Sequence, residues 1–184
     1  MVTRGTVRTA LLYIFVVLVA VVVAGVVNHP FLELGLVGYV VVAPISEEIL
    51  KSLGVVIVLG KRRTPRSGAE AGLLVGLGFG ILETISVYPD TVLVRLFTSI
   101  PFHVGTGGID GYAVGSRRYW LIAGSVGLHS LYNLIALSEL GLLLVYEFIF
   151  AFLTVACVAA YLLSSAKAAA PAQMFDAAGS VRPK

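Results

Sequence analysis

The sequence has little charge and almost no cysteine. Only 12% of its 184 residues are charged, about half the share that is typical of a soluble domain. Hydrophobic residues make up 58%, and the mean hydropathy is +0.98. This composition excludes an ordinary soluble domain and indicates a membrane protein in contact with lipid. The single cysteine, Cys157, excludes a disulfide framework and a cysteine-based metal site.

The net charge is +3, but the basic residues do not form one continuous segment. The basic residues lie in short stretches between apolar runs, a pattern typical of membrane topology. It argues against a nucleic-acid partner, which would need a basic surface.

Six apolar runs follow one another along the chain, and about 20 residues suffice to cross a bilayer core. They cover residues 10–27, 31–60, 71–88, 99–115, 119–138 and 140–163. Residues 91–100, which include Arg95, are expected to form an interfacial segment. The sequence therefore predicts an all-α polytopic membrane protein with about six transmembrane helices.

The basic residues predict its orientation. With six spans, Arg4, Arg8, the 61–66 loop, Arg117, Arg118 and the basic residues after 163 share one side. The positive-inside rule then places both termini in the cytoplasm of a multi-pass cell-membrane protein. We expect one transmembrane helical domain over residues 1–163. Residues 164–184, rich in Ala and without periodicity, are expected to form a disordered cytoplasmic tail.

Three charged side chains interrupt the second run. Glu47, Glu48 and Lys51 lie inside it, and each charge at bilayer depth costs about 2.5 kcal/mol or more. Lys51 is four positions from Glu47 and three from Glu48, so it can reach either carboxylate along one helix face. Such a costly group indicates a functional site.

Polar residues occur at similar depth in the next three runs. They are Glu83, His103, and His129 with Asn133, each 11 to 17 positions from a basic loop, about 16 to 25 Å along a helix. Together with Glu47 they predict a polar active-site cavity between helices two to five. Asp110 and Glu147 lie off this plane, and we expect them to have partners such as Arg117, Lys51 or a tyrosine.

Two prolines precede polar residues, Pro44 before Glu47 and Pro101 before His103. Each is expected to kink its helix and to free a carbonyl group that needs a polar partner. Gly72, Gly76 and Gly80 recur every four residues, which predicts close helix packing beside Glu83.

Two carboxylates and an imidazole in one cavity suit the activation of water for peptide hydrolysis. The sequence lacks Gly-x-Ser-x-Gly, Gly-x-Gly-Asp and His-Glu-x-x-His, and has no obvious Ser–Lys arrangement. Serine-type, aspartyl-type and common zinc-protease signatures are therefore absent.

Three short motifs, with a further histidine–glycine element between the second and the third, carry a resemblance to a known family. Glu47-Glu48-Ile-Leu-Lys51 matches Glu-Glu-x-x-Lys, and Phe79-Gly-Ile-Leu-Glu83 matches Phe-x-x-x-Glu. His129-Ser-Leu-Tyr-Asn133 resembles a closing His-x-x-x-Asn/Asp motif, and His103-Val-Gly-Thr-Gly107 a histidine–glycine element. In this order, over residues 44–133, they resemble the PrsW family of intramembrane proteases, which is related to the CAAX prenyl endopeptidases and the bacterial ABI proteins.

The resemblance implies roles for these residues. Glu47 would activate water, Glu48 would support it, and His129 and Asn133 would stabilise the oxyanion. Glu83 replaces a histidine of the prenyl proteases, which makes prenylated substrates less favoured. The implied substrate is a membrane-anchored protein, such as an anti-sigma factor-like protein.

Two alternatives remain open. No cofactor is expected for a protease in which a glutamate activates the water. However, two glutamates and two histidines form an acceptable ligand set for zinc. A zinc-dependent metalloprotease is therefore a variant of the intramembrane-protease hypothesis. A non-enzymatic proton-coupled carrier or scaffold is the second alternative, because carriers also use buried acids and histidines. The sequence shows no internal repeat of the kind typical of carriers.

Overall fold

The computed structural model describes residues 4–61 and 63–137, together with Thr154, Val158 and Tyr161, and over these residues the chain is helical without a strand. The helices are α1 (Arg4–Leu32), α2 (Ala43–Leu59), α3 (Pro65–Val87), α4 (Val92–Phe97), α5 (Ser99–Ser116) and α6 (Trp120–Ala136). The all-helical prediction is confirmed. The run at 140–163, apart from the three residues named above, and the tail expected at 164–184 lie outside the described residues.

Two described helices, α1 and α3, are long and apolar enough to cross a membrane. Helices α4 and α5 meet at a bend of 60° and would add a third span if the pair counts as one. Helix α6 is apolar but has 17 residues. Helix α2 also has 17 residues, and its three charged side chains lower its hydropathy.

Helix α1 is longer than the sequence predicts, and residues 28–30 belong to it rather than to a loop. Pro30 keeps a helical backbone angle and loses only its own N–H hydrogen bond, so a proline in the last turn does not end the helix. The helix stops at Leu32, before Gly35 with φ +56°. Asn28 is therefore a buried helical residue.

A π-helical turn, Gly38–Val42, leads into α2. The Ala43 N–H donates to the Gly38 carbonyl, five residues back. The next bond of this pattern would come from Pro44, which has no N–H, so the Tyr39 carbonyl receives no donor from it. Pro44 thus begins α2 instead of kinking it, and it frees a carbonyl as the sequence predicts.

The second proline also begins a helix. Pro101 lies in the first turn of α5, where a backbone N–H has no helical partner in any case. The 60° change of direction occurs at Thr98, between α4 and α5. The expectation of a proline kink within this helix is therefore wrong, because Pro101 follows the bend.

Helices α3 and α5 pack so closely that their backbones touch. A Cβ atom on Gly72 would overlap the Gly107 carbonyl, and one on Gly76 would overlap the His103 carbonyl. Gly68 meets Gly111 in the same way. The two helices are antiparallel along this seam, and only glycine permits such an approach. The seam fixes α5, and His103 with it, against α3.

The same antiparallel packing gathers the basic segments at one end. Val16 of α1 packs against Gly54 of α2, and Asn28 lies beside Ser46, so the start of α1 is near the end of α2. Gly115 at the end of α5 packs against Thr64, just before α3. The start of α1 and the loops before α3 and α6 therefore lie at one end of the bundle.

Candidate active site

Lys51 lies at the centre of a buried polar cluster. Its fully buried ammonium group donates to Glu48 at 2.6 Å and to the Thr106 hydroxyl at 2.8 Å, and it lies 3.4 Å from Nδ1 of His103. An ammonium group has three N–H donors and no acceptor, so these three partners can use all of its hydrogens. A buried charge is tolerated when it is paired and hydrogen-bonded in this way. Lys51 thus ties α2 to α5.

Glu48 accepts hydrogen bonds from several directions. Nδ1–H of His129 donates to its Oε1 at 2.5 Å, and the Ser125 hydroxyl faces its Oε2 at 3.4 Å. Its side chain is fully buried against Lys51. Since a carboxylate on one ring nitrogen fixes the orientation of an imidazole, Glu48 directs Nε2 of His129 toward Glu47.

Glu47 differs from its neighbour, because one of its oxygens has no partner. Its Oε1 accepts from the Asn28 amide at 3.3 Å. Its Oε2 is buried without a hydrogen bond among the described residues and lies 3.8 Å from Nε2 of His129. This gap is too long for a direct hydrogen bond. It leaves Oε2 available to a reacting group.

Glu83 joins the cluster through His103. One carboxylate oxygen, Oε2, lies 3.0 Å from Nε2 of His103 and accepts from Arg95 at 2.5 Å. Arg95 also donates to the Thr84 hydroxyl at 3.2 Å and lies over the Tyr88 ring at 4.0 Å. The guanidinium group therefore balances the charge of Glu83 at the edge of the cluster.

Asn133 lies beside the cluster rather than within it. Its amide donates to the Tyr39 carbonyl at 2.8 Å, which is the carbonyl that Pro44 leaves without a helical donor. One amide N–H is thereby committed to the backbone, and the second remains for another acceptor. Asn133 thus links α6 to the π-helical turn.

Aromatic rings surround the two histidines. Phe102 stacks on Tyr132 with ring centroids 4.3 Å apart, and its edge contacts His129 at 5.4 Å. Phe79 packs against His103 at 5.5 Å. These apolar contacts exclude water from the histidine flanks and strengthen the electrostatic interactions of the cluster.

A cavity of about 740 Å³ reaches the cluster from the end opposite the basic loops. Its lining includes Glu47, Glu83, Arg95, His103 and Asn133. Helix α1 supplies a wall through Ala24, Asn28 and Leu32. The volume is typical of a small-molecule or peptide-segment site.

Five residues of this site were missed or placed elsewhere by sequence reasoning: Asn28, Arg95, Thr106, Ser125 and Asp110. Asp110 is fully buried and faces Glu48, Lys51 and the Ser125 hydroxyl, but neither of its oxygens has a hydrogen-bonding partner among the described residues. A charge or an amide within an apolar run was the available signal for Asn28, Arg95 and Asp110. Thr106 and Ser125 gave no such signal, because hydroxyl residues are common in membrane helices.

Three potential metal ligands converge. Glu47, His103 and His129 each offer a donor atom, and these atoms lie within 4.8 Å of one another. Two histidines and one carboxylate form the ligand set of many catalytic zinc sites. The hydrogen bonds of His103 do not fit that role. Lys51 can only donate, so Nδ1 must accept, and the ring proton is then on Nε2, where it faces Glu83. As arranged, the residues do not fit a zinc ion held by this histidine.

The fold and the site together define a class. Apolar helices that bury carboxylates and imidazoles around a cavity are typical of a membrane-embedded enzyme. The family model described as PrsW family intramembrane metalloprotease matches residues 3–162. The chain belongs to the PrsW family, which confirms the resemblance of its motifs and supports an intramembrane protease activity on membrane-embedded protein substrates. No curated protein and no solved structure matches the chain.

Proposed function

We propose that this chain is a metal-independent, glutamate-type intramembrane endopeptidase that cleaves membrane-anchored proteins. One observation carries the proposal: Oε2 of Glu47, which has no hydrogen-bonding partner in the described part of the chain, faces Nε2 of His129 across 3.8 Å in a buried site beside a cavity. A water oxygen placed to one side of this gap can lie within hydrogen-bonding distance of both atoms. Such a water would be held where a substrate carbonyl can reach it.

Glu47 acts as the base in this mechanism. The bound water donates one proton to Oε2 of Glu47 while its oxygen attacks the peptide carbonyl carbon, which becomes a tetrahedral oxyanion. The protonated Glu47 then gives that proton to the amide nitrogen as the C–N bond breaks. One carboxylate thus serves first as base and then as acid, and the proton count balances.

Two side chains would stabilise the oxyanion. With Nδ1 held by Glu48, Nε2 is the ring atom of His129 that we assign to the reacting carbonyl oxygen, which it would stabilise when it carries a proton. The second N–H of Asn133 is the other donor that we assign. Donors fixed before the reaction stabilise the developing charge most effectively.

Glu83 and His103 would support this centre from α3 and α5. His103 accepts from Lys51 and donates to Glu83, so it holds both charged groups in place. We assign Glu48, Lys51, Glu83 and His103 to the catalytic machinery, with Glu47, His129 and Asn133 at the reacting atoms.

We also propose the topology. Six spans, both termini in the cytoplasm and a multi-pass protein of the cell membrane follow from the alternation of basic loops. The common position of the basic segments at one end of the bundle supports this orientation. A membrane-anchored regulatory protein of the anti-sigma factor type is the proposed substrate.

A reconstituted cleavage assay tests the activity. Purified protein in proteoliposomes is given a library of single-span peptides that carry a fluorophore and a quencher, and cleavage is followed by fluorescence. Glu47→Gln, Glu83→Gln and His129→Ala are compared with the wild type. Ser52→Ala is the matched control, because it removes from the same helix a buried hydroxyl that has no hydrogen-bonding partner among the described residues. Cleavage by all three variants at the wild-type rate would exclude the protease mechanism.

A zinc enzyme is the second candidate, and the convergence of Glu47, His103 and His129 favours it. In such an enzyme a zinc ion would polarise the carbonyl and lower the pKa of bound water. Elemental analysis of the purified protein, with activity measured before and after chelation, separates the candidates. We expect less than stoichiometric zinc and unchanged activity after chelation. Stoichiometric zinc that is required for turnover would contradict the metal-independent mechanism.

A further inference from the structure

We propose that Asn28, on the first helix, is a positioning residue that holds one oxygen of Glu47 and so presents the other to the reaction. This inference rests on the proposed function of Glu47 as the base. It extends the site to α1, which lies outside the segment that carries the sequence motifs.

The Asn28 side chain is buried between α1 and α2, with 8% of the residue exposed. The Ser46 hydroxyl donates to its Oδ1 at 2.6 Å. The carbonyl side of the amide is thereby fixed toward Ser46, and the Nδ2 group must face the opposite direction, toward Oε1 of Glu47 at 3.3 Å. The Ser46 hydroxyl also lies 2.9 Å from the Ala43 carbonyl, but its contact with Oδ1 is the shorter of the two and favours this orientation of the amide.

The consequence for Glu47 is a division between its two oxygens. Oε1 is held by Asn28, whereas Oε2 has no partner among the described residues and faces His129. Without the amide, the carboxylate could rotate about its last bond and Oε1 could take the place of Oε2, or both could turn away from His129. An immobilised base is what proton abstraction requires, because small displacements of a reacting group reduce the rate strongly.

The first measurement is kcat in proteoliposomes, with a cleaved single-span fluorogenic peptide at saturating concentration. Asn28→Leu has a similar size but no donor, and we expect it to reduce kcat by about tenfold to a hundredfold, the effect of a hydrogen bond to a charged group. Asn28→Gln keeps an amide on a longer chain and is expected to recover part of the loss. Ser52→Ala, again the matched control, should keep the wild-type kcat.

A double-mutant cycle distinguishes positioning from a general structural role. Glu47→Asp shortens the carboxylate by one methylene, so it moves out of reach of Asn28 but retains a measurable rate. If Asn28 acts through Glu47, adding Asn28→Leu to Glu47→Asp should change kcat by less than about twofold, because the interaction is already lost. A structural role would reduce kcat by the same factor in both backgrounds.

The results for Asn28→Leu and Glu47→Gln test the role of Asn28 independently of the proposed function. If Glu47→Gln is inactive and Asn28→Leu retains the wild-type kcat, Asn28 does not position Glu47, although the protease mechanism stands. Equal losses in both backgrounds overturn the inference as well. If Glu47→Gln cleaves at the wild-type rate, the proposed function itself fails. If Asn28→Leu does not fold, kcat of Ser46→Ala is measured instead. A severalfold lower kcat in that variant supports the positioning role of Asn28, and an unchanged kcat overturns it.

Discussion

Glu47 and Glu48 are adjacent in the sequence but have opposite hydrogen-bonding environments. Glu48 is paired with Lys51 at 2.6 Å and with His129 at 2.5 Å, whereas Oε2 of Glu47 has no hydrogen-bonding partner among the described residues. A carboxylate that is fully engaged holds other groups in place, and one with a free oxygen can take a proton. The two glutamates should therefore respond differently to the same substitution.

Glu47→Gln should abolish most activity without unfolding the protein. Glutamine keeps an oxygen that accepts from Asn28, so the packing is retained, but it removes the base. We expect kcat to fall by about 10² to 10⁴, the usual contribution of a general base. The melting temperature of the detergent-solubilised protein should remain within a few degrees of the wild type.

Glu48→Gln is the matched comparison, and it should reduce stability as well as activity. It leaves the buried ammonium group of Lys51 without its carboxylate, and breaking a buried ion pair costs about 3–5 kcal/mol. Equal melting temperatures for the two glutamine variants would contradict the separation of roles. If Glu48→Gln is stable but inactive while Glu47→Gln remains active, the roles of the two glutamates are the reverse of those assigned.

Lys51→Met should be rescued in stability, but not in activity, by a second substitution. Alone it removes the ammonium group that pairs with the buried Glu48 carboxylate, with a loss of about 3–5 kcal/mol. In Lys51→Met/Glu48→Gln both charges are gone, and a large part of the stability should return. Activity should stay low, because His129 has lost the carboxylate that orients it. The free energy of unfolding and the cleavage rate are measured for each variant, and recovery of both would refute this role for Glu48.

The polar cluster is predictable from sequence to the extent that its members are unusual in lipid. Charged or imidazole side chains at bilayer depth, such as Glu47, Lys51 and His103, indicate a functional site because their burial is costly. Their spacing from basic loops then gives an approximate depth. It does not give the partners, because a rotation of one helix by a third of a turn changes every contact.

The residues that sequence reasoning misplaced show where this limit lies. The apolar runs place residues 28–30 between two spans, yet α1 continues through them, because a proline in the last turn leaves the helix intact. The sequence predicts an interfacial segment for Arg95, and only the fold brings α4 back onto Glu83. These outcomes depend on where a helix ends and on how the chain turns after it, which local sequence patterns do not determine.

Arg95→Leu should reduce activity more than its position on a short helix suggests. It removes the cation that donates to Glu83 at 2.5 Å, and among the described residues that carboxylate then keeps only its contact with His103. We expect a loss of about 1.5–3 kcal/mol in transition-state stabilisation, or roughly 10- to 150-fold in kcat/KM. Arg95→Lys should recover only part, because an ammonium group lacks the planar fork that also reaches Thr84.

Leu93→Ala is the control for Arg95, since Leu93 lies on the same helix and is 78% exposed. It should keep the wild-type kcat/KM. An Arg95→Leu protein that matches Leu93→Ala in kcat/KM would show that the ion pair has no effect on the reaction.

Gly76→Ala should disturb the site through the helix seam. Its Cβ would overlap the backbone carbonyl of His103, so α5 must move away from α3. Overpacking of this kind costs about 1–3 kcal/mol or more, and here it also displaces His103. Gly127→Ala on α6 is the matched control, because its Cβ would meet no atom of the described residues within 4 Å.

At Gly127 the better helix propensity of alanine should leave stability equal or raise it by up to about 1 kcal/mol. Thermal unfolding and cleavage rates of the two alanine variants are compared. If Gly76→Ala is as stable and as active as Gly127→Ala, the close approach of α3 and α5 is not required.

Asn133→Asp tests whether the amide is needed for its hydrogens. The Asn133 N–H donates to the Tyr39 carbonyl, which has no donor from Pro44. An ionised aspartate has no hydrogen to donate and would place a charge against that carbonyl oxygen. We expect a loss of about 1–3 kcal/mol in stability, the penalty for a buried polar group left unsatisfied, and a lower kcat because an oxyanion donor is removed. Asn133→Gln, which retains both N–H groups, should lose less of each. Wild-type stability and kcat in Asn133→Asp would mean that the amide hydrogens serve neither the π-helical turn nor the oxyanion.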